Sequence, residues 1–156
     1  MKITNADRRA GVALAAAALA MLGAAGPAAA DDGKDGTKVT PGTTYTVSTS
    51  KDAKAANAVV CASSNGKANF LFQNDGNLVD YDENGTARWA SNTAGSGYSF
   101  VFQTDGNAVV YDVNGKPLWA SNTAGHPNDW LICQDDGNVV IYDPGPVALW
   151  ATGTNH

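Results

Sequence analysis

Two histidines, two cysteines and ten lysines and arginines are all that the 156 residues hold of those types, and each scarcity narrows what the chain can do. His126 lies in a loop segment and His156 at the terminus, and neither has an evident partner for base catalysis. Past residue 40 no segment shows helical periodicity with caps, which excludes a helical domain. Long apolar runs are also missing, with one exception. Ala10 to Ala25 is built of Ala, Leu, Val, Met and Gly, follows the basic residues Lys2, Arg8 and Arg9, and leads into Gly26-Pro27-Ala28-Ala29-Ala30. A basic start, a short apolar core and an Ala-x-Ala end make residues 1–30 a secretory signal peptide, cleaved near Ala30. The run is short for a membrane span and no basic stop-transfer cluster follows it, so no membrane insertion is expected. The Arg8-Arg9 pair leaves the general and twin-arginine export routes both open.

Without residues 1–30 the chain keeps seven Lys and Arg against fourteen Asp and Glu, a formal charge of −7. An acidic chain with no basic stripe lacks the footprint that a phosphate backbone requires, which argues against nucleic acid as a partner. The remaining length suits one domain with one modest core. Both cysteines, Cys61 and Cys133, lie in the exported part, where an oxidising environment makes a single disulfide the natural reading. Such a bridge closes a loop of roughly seventy residues and stabilises by about 4 kcal/mol in the chain-entropy model.

What the chain does have is a repeat. FQNDGNLVDYD (Phe72 to Asp82), FQTDGNAVVYD (Phe102 to Asp112) and CQDDGNVVIYD (Cys133 to Asp143) share one pattern, and WASNT, WASNT and WATGT follow at Trp89, Trp119 and Trp150 with the same offsets. Short aromatic and β-branched stretches separated by Asp-Gly and Asn-Gly turns indicate an all-β domain of hairpins. With Asn74-Asp75-Gly76 as a loop, Gln73 faces Asn77, and Gln73, Asn77, Val79 and Tyr81 share one face with Asp75 at the turn. The opposite face holds Phe70, Phe72 and Leu78, then Phe100, Phe102, Ala108 and Val110, then Leu131, Cys133, Val139 and Ile141. None of these apolar faces can be buried alone, so three hairpins packed about a pseudo-threefold axis form the core, with the three tryptophans as its largest members. Trp130 and Ile132 fall on the Gln134 face, where Trp130 is either a stacking surface or strand filler.

Each outward face thus presents two amides, a carboxylate, a phenol and a small apolar surface, a set that suits the vicinal hydroxyls and ring carbons of a hexose. About four hydrogen bonds at roughly 1 kcal/mol each correspond to an affinity near millimolar per site. Three sites on one rigid body then offer avidity for branched or crowded glycans.

The spacing Gln-x-Asp-x-Asn-x-Val-x-Tyr resembles the signature of the bulb-type mannose-binding lectins of monocots. It occurs complete as Gln73, Asp75, Asn77, Val79, Tyr81, as Gln103, Asp105, Asn107, Val109, Tyr111, and as Gln134, Asp136, Asn138, Val140, Tyr142. The likeness runs through the WASNT blocks over roughly Thr40 to Thr154. It implies the β-prism II fold, three antiparallel four-stranded sheets, with mannose-containing glycans held at each motif and no metal or other cofactor. The domain is then residues 40–156, preceded by a flexible polar lead-in at 31–39. Family members often exchange C-terminal strands, which makes a homodimer conceivable.

Three departures stand out. Asp80 occupies a core-facing position where the other copies have Val110 and Ile141, and an unpaired carboxylate there is costly, so it either reaches a solvated edge or weakens site one. The stretch from Val47 to Ser64 is longer than the family's usual entry into its first repeat. Cys61 and Cys133 do not match the disulfide typical of the plant members.

Other function classes fit less well. A glycosidase needs two carboxylates in unlike environments beside one bond, whereas Asp75, Asp105 and Asp136 are equivalent by repetition. An EF-hand needs Glu at its twelfth position, and counting from Asp75 or Asp105 gives Thr86 or Lys116. The second reading is a lectin-like protein-interaction or antibacterial, bacteriocin-like module on the same fold.

Overall fold

Each Asp-Gly pair closes a tight turn that brings Gln and Asn of the motif face to face. Gln73 N donates to Asn77 O at 2.8 Å and Gly76 N returns to Gln73 O at 2.9 Å, and both later copies repeat the pair of bonds. Gly76 takes φ 83°, a left-handed value that a side chain would oppose, and a Cβ there would also strike the Gly97 carbonyl. The next turn of each copy is opened by a second aspartate. Asp82 Oδ1 accepts from Asn84 N and Thr86 N, and Asp112 and Asp143 cap their turns in the same way.

The computed structural model describes residues 35–46 and 57–156. Its regular elements are twelve strands: β1 (Asp35–Val39), β2 (Thr43–Thr46), β3 (Ala58–Ala62), β4 (Asn69–Phe72), β5 (Leu78–Tyr81), β6 (Ala87–Ala90), β7 (Ser99–Phe102), β8 (Ala108–Tyr111), β9 (Pro117–Ala120), β10 (Trp130–Gln134), β11 (Val139–Tyr142) and β12 (Ala148–Ala151). They form three antiparallel four-stranded sheets: sheet one, β3-β4-β5-β6; sheet two, β2-β7-β8-β9; and sheet three, β1-β10-β11-β12. The all-β, threefold architecture read from the repeat is therefore present, with a division of labour the repeat does not show. Every copy of the motif supplies three consecutive strands, and the N-terminal segment supplies one edge strand to each sheet.

That division corrects the reading of residues 31–39 as a flexible lead-in. From Asp35 onward this segment is β1, paired with β10 through Lys38 opposite Ile132 and Val39 opposite Leu131. Its polar, glycine-bearing sequence misleads because an edge strand is held by backbone hydrogen bonds rather than by an alternating apolar pattern. Gly36 packs so closely on Ala62 that a Cβ would overlap its carbonyl. The signal peptide expected at residues 1–30 and most of the long entry at 47–56 lie outside the described residues.

Every residue assigned to the inward face is in the core, from Phe70, Phe72 and Leu78 through Phe100, Phe102, Ala108 and Val110 to Leu131, Cys133, Val139 and Ile141. Phe100 meets Phe70 edge-on at 6.4 Å and Phe72 at 6.3 Å. Trp89, Trp119 and Trp150 form a pinwheel with centroids 5.3, 5.4 and 5.4 Å apart and steep interplanar angles, the edge-to-face geometry that ring quadrupoles favour. They are half-buried and pack against the core, so the phenylalanines rather than the tryptophans fill its centre. The Cys61–Cys133 disulfide is formed, with Cα atoms 5.8 Å apart, and ties sheet one to sheet three from the inside.

Asp80 is buried, with 1% of its surface exposed, and so does not reach a solvated edge. Its place between Phe70 and Trp89 in the register fixes it on the inward side. Thr154 Oγ1 donates to Asp80 Oδ2 at 2.9 Å, while Oδ1 has no partner among the described residues. Burial, only partly offset by that hydrogen bond, pushes its pKa up to about 6.

Candidate functional site

The outward faces assemble from the same hairpins. In sheet one Gln73 Nε2 donates to Tyr81 Oη at 2.7 Å, spanning β4 and β5. Gln103 donates to Tyr111 in the same way, and Gln134 reaches Tyr142 at 3.2 Å. At the turn, the backbone N–H of Asn77 donates to Asp75 Oδ1 at 2.9 Å, and Asn107 and Asn138 do so to Asp105 and Asp136 at 3.0 Å. The five motif residues of each copy are thus brought together, and the three sets stand on three different sheets.

The asparagine is fixed from behind by residues the repeat contained but whose role it did not reveal. Ser91 Oγ accepts from Leu78 N at 3.0 Å and donates to Asn77 Oδ1 at 3.1 Å, and Thr93 N adds a second bond to the same oxygen. Ser121 and Thr123 serve Asn107, and Thr152 and Thr154 serve Asn138. These are the Ser, Thr and Thr-x-Thr positions of WASNT and WATGT, so the signal lay in the second repeated block. With Oδ1 committed inward, each asparagine turns its Nδ2 donor outward.

Each site therefore offers an amide donor from Asn, the free Oδ2 acceptor of an exposed Asp, the Oε1 acceptor of Gln, and a phenolic hydroxyl that already accepts from Gln and keeps its proton to donate. Beneath them lie Val79, Val109 and Val140, each 2% exposed, as an apolar floor between the polar groups. A rigid, mixed donor and acceptor ring around a small apolar patch complements a pyranose, whose hydroxyls surround a face of C–H groups.

The rims differ. After each WASNT-type block the chain crosses the motif's turn, and backbone N–H groups bind the aspartate carbonyl: Gly95 to Asp75, Gly125 and His126 to Asp105, and His156 to Asp136. Site one has a small Gly-Ser-Gly rim and site two a His126-Pro127-Asn128 loop. Under that loop Asp129 is buried against Gly106, neither carboxylate oxygen has a partner among the described residues, and burial pushes its pKa up to about 6. At site three the His156 imidazole contacts Thr154 O at 3.0 Å and Glu83 Oε2 at 3.1 Å, and these acceptors raise its pKa, the Thr154 carbonyl foremost. The Asp135 carboxylate beside site three binds Ser64 N, Ser64 Oγ and Asn65 N, which clamps sheet three to sheet one and holds that carboxyl below the usual range, Ser64 Oγ acting most.

Asp80 does not touch site one, because it points to the opposite side of β5 from Val79 and Tyr81. The frame there matches site two bond for bond, with Tyr81 more buried than Tyr111 or Tyr142. Trp130 lies on the Gln134 face as the alternation requires and stacks on Tyr142, with centroids 6.0 Å apart.

No protein-family model and no curated protein matches the chain. Solved structures do. The chain is 38% identical to a monomeric monocot mannose-binding lectin from Gastrodia elata, the alignment covering 78% of this chain and 99% of that one with a TM-score of 0.59. It is 38% identical to the mannose-specific agglutinin of snowdrop, Galanthus nivalis, solved with methyl-α-D-mannoside, over 78% and 98% of the two chains with a TM-score of 0.52. The Polygonatum cyrtonema lectin solved with a monomannoside is 30% identical over 78% and 97%, with a TM-score of 0.51. With identity of this size over nearly the whole of those lectins, a shared three-sheet architecture and the complete motif in triplicate, the chain belongs to the bulb-type mannose-binding lectin family of the monocots.

Proposed function

We propose that the chain is a mannoside-binding lectin with up to three non-catalytic sites, formed by Gln73, Asp75, Asn77, Val79 and Tyr81, by Gln103, Asp105, Asn107, Val109 and Tyr111, and by Gln134, Asp136, Asn138, Val140 and Tyr142. The observation that carries this reading is the threefold recurrence of one hydrogen-bonded frame over one buried valine. Turn chemistry alone accounts for Asp and Gly but not for Gln, Asn, Val and Tyr at fixed offsets. Hydroxyls of the sugar meet the Asp acceptor, the Asn donor and the Gln and Tyr groups, while the ring carbons rest on the valine. The ligand leaves as it arrives: each site presents one exposed carboxylate, and the second carboxyl near site two, Asp129, is buried beneath the rim, away from any bond of a ligand resting on Val109.

Secretion is part of the proposal: residues 1–30 have the form of a signal peptide, and a disulfide suits an oxidising compartment. Calorimetric titration of the purified protein with methyl α-mannoside tests the central claim. Millimolar-range binding to the wild type, removed by combined Asp75→Ala, Asp105→Ala and Asp136→Ala substitution, is the expected result. A wild type that shows no mannoside signal on a glycan array would sink it in favour of a protein-interaction or antibacterial role for the same fold. The N-terminal mass of exported protein tests cleavage near Ala30.

A further inference from the structure

The register of the three sheets allows their outward faces to be compared position by position. The floor valine of each site begins a cross-strand row that ends on the N-terminal edge strand. In sheet one the row is Val79, Leu71, Val59; in sheet two, Val109, Val101, Thr44; in sheet three, Val140, Ile132, Lys38. The neighbouring row begins at the motif tyrosine, opposite which stand Asn69, Ser99 and Trp130. Site three alone therefore continues into a lysine and a tryptophan.

These two side chains are organised. The Lys38 ammonium lies 5.0 Å from the Trp130 ring centroid, and that ring stacks on Tyr142, whose hydroxyl accepts from Gln134 within the motif. Ile132 beneath them is 2% exposed, so the lysine stem and the indole roof an apolar strip that is continuous with the Val140 floor. A cation held over an aromatic face is positioned without being neutralised. Among the described residues Lys38 makes no ion pair. Site one has nothing comparable, because Asn69 Nδ2 is committed to the carbonyls of Gly66 and Tyr81. In an acidic chain, a fixed ammonium two strands from the sugar floor, along the row that Ile132 continues, marks where a negative charge on the ligand would be accepted.

We propose that site three prefers acidic mannosides: a mannose over Val140 whose anionic substituent, a phosphate ester or the carboxylate of an adjoining uronic acid, meets Lys38, with the adjoining ring against Trp130. This rests on the reading of the motif as a mannoside site. Sites one and two, ending in Val59 and Thr44, bind neutral mannosides without this preference.

The test uses the full chain with sites one and two silenced by Asp75→Ala and Asp105→Ala, titrated with methyl α-mannoside, mannose 6-phosphate and a mannosyl-glucuronic acid disaccharide. An acidic ligand should bind about three- to ten-fold more tightly than methyl α-mannoside at low salt, with the advantage shrinking as ionic strength rises. Which of the two does so identifies the anion. Lys38→Gln, which keeps most of the stem, should abolish the advantage and leave methyl α-mannoside affinity unchanged. Trp130→Ser, the residue of site two, should weaken the disaccharide selectively. Equal affinity for neutral and acidic ligands, or a preference that survives Lys38→Gln, overturns the proposal while leaving the mannoside reading intact. Failure of all three ligands in this background, with methyl α-mannoside also failing on the unmodified chain, overturns both.

Discussion

Sheets one and two carry one outward frame over two different interiors. In both, the glutamine donates to the tyrosine, the aspartate accepts from the asparagine backbone, and a serine and a threonine hold the asparagine oxygen from behind. Behind that frame, Asp80 in sheet one stands where sheet two has Val110, and the core has absorbed the difference through Thr154. A repeat maintained for packing alone would keep its interior alike and let its surface drift. Here the interior differs at Asp80 while the five motif residues agree, the pattern that the proposed sugar sites would require.

The largest expected effect comes from breaking the inside without touching the outside. Replacing Cys61 and Cys133 together with serine should lower stability by about 4 kcal/mol, read as a shift in the denaturant midpoint. The chain that remains folded should bind methyl α-mannoside as before. Breaking the outside of one sheet gives the complementary result. Asp105→Ala should weaken site two by about 1.5–3 kcal/mol, the range for a hydrogen bond to a charged group, while costing less than about 1 kcal/mol of stability. An NMR titration that resolves the three sites would show sites one and three unmoved.

Asp80→Val makes the interiors alike and should stabilise the chain by about 1–3 kcal/mol at pH 7 by removing a half-partnered buried carboxyl. Thr154 keeps an acceptor, since its hydroxyl also reaches Gly137 O at 2.7 Å, as Thr93 and Thr123 reach their own turn carbonyls. The pH dependence follows from the direction of the shift. The folded chain holds the Asp80 proton up to about pH 6, above the ordinary 3.8, so the favourable contribution is complete below pH 3.8 and is lost as pH rises to about 6. Asp129 titrates in the same sense. Thermal unfolding between pH 4 and pH 7 should thus show stability falling with pH, less steeply in Asp80→Val. Unchanged affinity at site one in this variant would show that the sheet separates interior from site. The smallest effect is expected from Tyr111→Phe. Loss of the hydroxyl that accepts from Gln103 should weaken site two by about 0.5–1.5 kcal/mol and leave stability nearly unchanged.

The repeated elements were legible in the sequence and the unrepeated ones were not. Turn glycines fix the hairpin loop, the loop fixes the register, and alternation then assigns the eleven named inward residues of the three hairpins to the correct face. β1, β2 and β3 escaped because DGTKV, TTYT and AVVCA share no pattern; each joins its sheet through backbone groups that all sequences possess. The bracing role of Ser91, Thr93 and their equivalents was hidden for another reason. A hydroxyl that holds a neighbouring asparagine looks, in sequence, like any polar surface residue. Asp80 was recognisable as anomalous, but its partner lies 74 positions away in the final segment, a distance over which no local pattern carries information.

The distribution of the three N-terminal strands among three sheets also sets an order of events. β1 precedes the other described strands, and its hydrogen-bonding partner, β10, comes only with the third repeat. Until the third repeat emerges, that edge has no mate and sheet three does not exist, so closure of the prism waits for β10 and the strands that follow it. Contacts of such long sequence separation make for slow folding, and an unpaired strand is open to the wrong neighbour meanwhile. A domain whose β1 must wait for β10 is better suited to folding once its third repeat has been made than to folding segment by segment.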